Sequence, residues 1–525
     1  MSDQSRSFPD RPSLRYLKLE ARHRLAAGEF PTLHEAQLAI AREHGQPSWT
    51  ALKQLIGELE LARWVTSRFA GAGQPDWSPP GEQELGEHFP ESVLRRITPG
   101  RLAARASFVA RVQRLRDEVT DLEDGPLVFR AHDAGEQIEA GAATEPPHWA
   151  SGITRQVISE QVTDTRVAAP PADMAGEVPA EAAAMADEIF GVFGLPGLAL
   201  AGSGGGSVWE LARGWADLDR GEPLSTAHRF PVHAITTLIT AIAVLRLAAD
   251  GRLDLDGPAN DHLRTVRLDD AVTIRDLLTR TDGMDNPAVV FAETAPGLAG
   301  LARPGLARSG TRGTFTGGIG GYAALGTLIT DVTGQPYPDA AARLVLDPLG
   351  MRSSWFPVHW PGPGARGVTG YELNEEGSFR PAPAEVASVP AALGLWATAA
   401  DLVRFGLGWS SLLPAALARE SLRPQAWPLG HTMPAAGLGW HINESLDVAG
   451  QAGRAPGGSA SLLVRLDSGQ VLVAMTNRRI PLEPFNSCIR LIGDPGRAAA
   501  AWPEPGPARP IAGVRHLPPD GHRPP

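Results

Sequence analysis

The stretch Phe230-Pro231-Val232-His233-Ala234-Ile235-Thr236-Thr237-Leu238-Ile239-Thr240-Ala241 continues as IAVLRLAADGRLDLDGPANDHL to Leu263. A helix is expected to begin at its threonines, with His233 immediately before it. Its apolar run, Ile235 to Leu245, ends at Arg246 and is about half of the roughly 20 residues that a membrane span needs. Upstream, a helix over Ala180–Phe190 leads into two strand-like runs, LPGLALAG (195–202) and SVWELARGWADL (207–218), joined by a Gly-rich turn at Ser203–Ser207. Far downstream, SASLLVRLDSGQVLVAMTNR (459–478) reads as a hairpin turning at Asp467-Ser468-Gly469. Strands at both ends with helices between them predict one antiparallel sheet, flanked by helices, whose first and last strands pair.

Further words follow in order: VTIRDLLTRTDGM (272–284), FTGGIGGYAALGTLITDVTGQPYPDAAARLVLDPLGM (315–351), PAALGLWATAADLVRFG (390–406), GLGWHI (437–442) and GQAGRAPGGSASLLVRLDSGQVLVAMTN (450–477). In order and spacing they resemble the serine β-lactamase and penicillin-binding-protein-like hydrolases, in particular the class C, esterase and D-aminopeptidase branch. The resemblance covers nearly all of residues 190–480. It implies a β-lactamase-like domain of α/β (α+β) build.

The resemblance also implies three catalytic motifs, and each is degenerate here. The first is F-x-x-G-S-x-x-K-x-x-x-A. It places a serine at a helix start and a lysine one turn later, so that the amine lies beside the hydroxyl. With Phe230 and Ala241 fixing the register, Ala234 takes the serine position and Thr237 the lysine position. The second is Tyr-x-Asn, for which Gly317 and Ile319 stand; Tyr322 is expected to be scaffold. The third, Lys-Thr-Gly or His-x-Gly on the strand beside the cleft, reads Gln451-Ala452-Gly453. Gly453 keeps a close backbone approach, and the cationic or imidazole group is gone. Of the 48 basic residues, only Lys18 and Lys53 are lysine, so no amine is available anywhere in this domain. The expectation is a pseudoenzyme with no catalytic residue, whose cleft binds a small-molecule ligand or protein partner without covalent chemistry.

Two rescues can be weighed. An esterase or amidase could use Thr236 or Thr237 as its nucleophile, with His233 nearby; threonines near a helix start more often cap or bond back to the preceding turn. Metal-assisted hydrolysis would need clustered ligands. The histidines at 228, 233, 262, 359, 431 and 441 show no ligand spacing, so no metal and no cofactor are expected. His233 is expected to hydrogen-bond local backbone. His233, Thr236 and Asp282 are candidate cleft-lining residues, with Asp282, Asp285 and Asn286 forming an acidic turn. The glycines at 202–206 lie in a hairpin turn and make no phosphate loop.

The remainder is organised around this domain. Residues 1–60 read as an N-terminal helical segment, with Ser48 as an N-cap. The run LHEAQLAIAREHGQPSWTALKQLI resembles a helical lead-in found before ankyrin-type repeats, although none follow. Residues 61–168 read as a small α+β domain, and FPESVLRRITPGRLAARASFV with EPPHWASGITRQV resembles a ketosteroid-isomerase-like cone. A linker is expected over 169–179, the large domain over 180–495 and a Pro-rich disordered tail over 496–525. An interaction role driven by the N-terminal region is the further alternative. The net charge of −11 argues against nucleic acid as a partner. A single cysteine, Cys488, permits no intrachain disulfide. The beginning of the chain lacks an apolar signal core, so a cytoplasmic, non-membrane protein is expected.

Overall fold

The computed structural model describes residues 14–53 and 169–480 with gaps, the longest over 293–310, and scattered positions over 56–88. The chain divides into two units, Met1–Val162 and Thr163–Pro525. In the first, helices α1 (Leu14–Ala26) and α2 (Leu33–Glu43) bury Leu17, Ala21, Ala36 and Ile40 in a small core with Leu52 and Ile56. Thr32 caps α2, and the Ser48 hydroxyl accepts from the Ala51 N–H at 3.1 Å, as the Ser48 N-cap reading requires. Helix α3 (Glu82–His88) is the last described element of this unit. The small domain expected over 61–168 lies almost wholly outside the described residues, as do Cys488 and the tail.

The second unit is built on an antiparallel sheet. Its strands are β1 (Asp173–Ala175), β2 (Gly197–Gly204), β3 (Ser207–Asp217), β4 (Ala435–Ala436), β5 (His441–Asn443), β6 (Val448–Ala455), β7 (Gly458–Arg465) and β8 (Val471–Thr476). They lie in the order β1-β3-β2-β8-β7-β6-β5-β4, and a two-residue strand at Glu222–Pro223 pairs with β3. The first long strand, β2, meets the last strand, β8, with Leu198 opposite Thr476 and Gly202 opposite Leu472. The β7–β8 turn passes through Gly469 at φ 67°, where a glycine carries no steric cost. Residues 169–179 are more than a linker. Asp173–Ala175 pair with β3 as an edge strand, and the Asp173 carboxylate accepts from the Thr226 N–H at 2.9 Å. Three residues are too few for an alternating pattern to announce a strand.

Helices cover both faces. On one face α4 (Ala180–Phe193) sets Phe190 against Gly214, where a Cβ would meet the ring at 2.5 Å. On the other, α5 (Thr236–Ala249) is almost entirely buried, with Leu238, Ile239, Ile242, Val244, Leu245 and Leu247 at 0% exposure. Each such side chain stabilises the fold by about 1.5–3 kcal/mol. The short helix α6 (Ile274–Thr279) opens on a capping box between Thr273 and Asp276. Helix α7 (Gly320–Thr333) packs beside α5 and α6, and α8 (Ala399–Gly408) lies on β8 and β2. Helix α9 (Ala415–Ser421) follows α8. No helix among the described residues is long and apolar enough to cross a membrane.

Candidate functional site

Ala234 lies in a single 3₁₀ turn, His233–Ile235, that feeds directly into α5. His233 holds a left-handed φ of 47°, a conformation that costs a non-glycine residue roughly 1–2 kcal/mol. This turn packs against β6 beyond the point where β5 stops pairing with it, since β5 reaches only Gly450. The contact depends on Gly453. A Cβ there would sit 2.4 Å from the Ala234 nitrogen and 2.8 Å from the His233 Cβ. Both obstacles are held by the turn, so neither can swing aside. Gly453→Ala is therefore expected to destabilise the unit by about 2 kcal/mol, read as a lowered urea midpoint; an unchanged midpoint would show that the turn and β6 can separate.

Thr237 is the hub of the site. Its hydroxyl donates to the Ala234 carbonyl at 2.7 Å and accepts from Arg280 Nη2 at 3.1 Å and from Gln451 Nε2 at 3.2 Å. The other end of the Gln451 amide accepts from the Ala452 N–H at 3.0 Å. Ala234 and Thr237 from the first motif and Gln451 and Gly453 from the third are thus brought together. Gly317 and the pair Asp285-Asn286 lie outside the described residues. Ile319 caps α7 through its carbonyl, which accepts from the Tyr322 and Ala323 N–H groups, and brings no polar side chain.

Arg280 is the residue that sequence reasoning missed. It ends α6 in a left-handed conformation, φ 61°, which turns its side chain inward rather than on along the helix. Its guanidinium is buried, donates through Nη1 to the Gly318 carbonyl at 2.8 Å, and stacks 4.7 Å from the centre of the Tyr322 ring. Where no cation was expected beside Thr237, one is present, supplied by a different element. Burial pulls its pKa down, opposed by Tyr322 and Asp282, but a guanidinium remains charged at neutral pH. It can hold charge there and cannot serve as a base. Tyr322 is scaffold as expected: its hydroxyl donates to the Leu278 carbonyl at 3.0 Å, and burial pushes it up to about 12.

Asp282 is buried beside this cluster. One carboxylate oxygen accepts from the Met284 N–H at 2.7 Å. The other lies where a Cβ on Gly321 would come within 2.6 Å, so the glycine makes room for it. Burial pushes the carboxyl up to about 6 against the pull of backbone N–H groups and Arg280.

The groups considered for rescue are otherwise engaged. The Thr236 hydroxyl is fully buried and accepts from the Leu395 N–H at 3.2 Å. The Thr237 hydroxyl is buried in the hub. His233 joins neither. Its Nε2 is buried with no hydrogen-bond partner, contrary to the expected backbone bond, and burial pushes the ring down to about 4. The cause is the left-handed turn, which sends the ring towards Gly458, where a Cβ would lie 3.0 Å from Nε2. His441 on β5 is a second such histidine. Its ring meets Phe315 edge-on at 6.2 Å, its Nε2 also lacks a partner, and burial followed by the Arg280 charge pushes it down to about 3. Among the described residues no group of three or more His, Cys, Asp or Glu could hold a metal ion.

Comparison with known proteins agrees with this architecture. The chain is 31% identical to esterase EstB of Burkholderia gladioli over 171 residues, covering 28% of this chain and 44% of the esterase. A Mycobacterium tuberculosis protein is 28% identical over 245 residues, and the chain spans 59% of its length. Penicillin-binding protein 4 of Amycolatopsis lactamdurans is 28% identical over 359 residues, covering 61% of this chain and 93% of that protein. Among solved structures, SurE superposes with a TM-score of 0.51 at 26% identity over 65% of this chain and 80% of its own. The octameric penicillin-binding protein homologue from Pyrococcus abyssi has the same fold, with a TM-score of 0.51 at 19% identity over 57% and 73%. The family model described as Beta-lactamase matches residues 184–496, more than half of the chain. This chain belongs to the beta-lactamase family.

Proposed function

We propose that this member of the family is a pseudoenzyme, with a cleft that receives a ligand without covalent chemistry. One observation carries the reading: the residue packed against Gly453 at the start of α5 is Ala234, which has no nucleophilic atom. The residue one turn on, Thr237, spends its hydroxyl proton on the Ala234 carbonyl and its lone pairs on Arg280 and Gln451. A hydroxyl with two cationic or amide donors on it and no base beside it is a poor nucleophile. The cation beside it cannot take a proton. Losing one member of a cooperating catalytic unit removes most of its rate, and losing the rest removes little more.

The second reading, a working esterase or amidase, is favoured by the 31% identity to an esterase. It requires Thr236 or Thr237 to leave the hydrogen bonds described above.

Intact-mass spectrometry after incubation with a β-lactam and with a fluorophosphonate, alongside nitrocefin and p-nitrophenyl ester hydrolysis, separates the two. No mass increase and turnover at the buffer rate are expected. Ala234→Ser is expected to remain at the buffer rate as well, because it restores a hydroxyl without a base. A stoichiometric adduct mapped to Thr236 or Thr237 would overturn the proposal in favour of a rebuilt nucleophile.

A further inference from the structure

Away from the cleft, a hollow of about 460 Å³ lies at the end of α9, lined by Ala416, Arg419, Glu420, Arg423, Pro424 and Gln425. We propose that it is a binding site for the phosphate group of a small phosphorylated molecule.

The charge balance of its wall supports this. Glu420 is the only carboxylate in the lining, and Arg275 Nη1 reaches it at 2.7 Å, so its charge is offset in part by a guanidinium that it shares with a second carboxylate. Arg275 in turn grips Asp256 with both remaining nitrogens, at 2.6 and 3.1 Å. Arg419 and Arg423 form no ion pair or hydrogen bond through their side chains among the described residues. Arg419 lies in the last turn of α9 and Arg423 two residues beyond the end of that helix, and both line the hollow. The C-terminal end of a helix favours cations in general. It does not account for a hollow between two of them, in a protein with 59 acidic and 48 basic residues.

The site is also rigid. Arg275 Nη1 reaches Gln425 Oε1 at 3.1 Å, tying α6 to the segment after α9, while the Gln425 N–H donates to the Ala436 carbonyl at 2.8 Å on β4. Pro424 fixes the turn between the second arginine and that anchor. Two guanidinium forks on a held backbone match the oxygens of a tetrahedral dianion better than those of a single carboxylate. The volume is of the order that small ligands occupy. Nothing in this argument uses the cleft, so it stands or falls apart from the pseudoenzyme reading.

Isothermal titration of the full chain with inorganic phosphate and with pyrophosphate, at constant ionic strength, tests it. Saturable one-to-one binding is expected, weakened about tenfold or more in Arg419→Ala/Arg423→Ala. The urea midpoint of that variant should not move, because both side chains are exposed. Absence of saturable binding up to about 10 mM, an affinity too weak to be specific, overturns the proposal. Equal binding by wild type and the double variant overturns it too, since the anion then sits elsewhere.

Discussion

Arg280→Met is expected to lower the stability of the large unit by about 3 kcal/mol, read as a fall in the urea midpoint at pH 7. The substitution removes the buried donor to the Gly318 carbonyl and one of the two donors to Thr237, with water excluded from both. It also takes away the positive charge that opposes the desolvation of Asp282. Methionine fills much of the volume and keeps a contact with the Tyr322 ring, so lost packing contributes little. A second readout distinguishes a charge effect from a cavity. Without Arg280, the Asp282 carboxyl should titrate above its present value of about 6, visible by NMR. Arg280→Lys should recover only part of the loss, because one ammonium cannot reproduce the planar fork that spans Gly318 and Thr237. A stability change below about 1 kcal/mol, smaller than a single buried unpaired group costs, would mean that the guanidinium is not a structural cation.

Acid should unfold this domain through histidines rather than carboxylates alone. His233 and His441 are held neutral by burial, at about 4 and about 3 against 6.5 in the unfolded chain. The unfolded state therefore takes up those protons first. Their stabilising contribution is complete above pH 6.5 and is lost as pH falls towards the folded values. Asp282 has the opposite sign. Raised from 3.8 to about 6, it is protonated first in the folded state and gains stability as pH falls from 6 to 3.8. Between pH 6 and 4 two groups oppose one, and the net loss is about 1.4 kcal/mol per pH unit from these three sites. Urea midpoints across that range give the slope. His441→Phe, which keeps a ring against Phe315, should flatten it by about one proton; an unchanged slope would place the titration elsewhere.

The sheet, its antiparallel pairing and the meeting of β2 with β8 were legible because β2, β3, β7 and β8 carry long apolar runs with clear turn residues between them. The convergence of Ala234, Thr237, Gln451 and Gly453 was legible from motif register, since the words around them are packing words. Arg280 was not. All but two of the 48 basic residues are arginine, so one more inside VTIRDLLTRTDGM carried no signal. Its role comes from a left-handed backbone at the end of α6, which periodicity does not report. His233 was noticed, but its orphaned nitrogen depends on the same kind of local turn. The edge strand at Asp173–Ala175 was hidden inside a segment whose Ala and Pro content reads as connector.

The pairing of β2 with β8 sets a condition on how this domain is made. Gly202 and Leu472 are neighbours in the sheet although some 270 residues separate them along the chain. During synthesis β2 and β3 emerge early as a hairpin with one flank unpaired, and that flank is completed only when the last strand leaves the ribosome. Contacts this distant close slowly, and an open strand edge invites pairing with other chains in the interval. Any event that stops translation before residue 471 leaves the whole β2 flank bare, so damage near the end of the message is as consequential for this fold as damage at its centre.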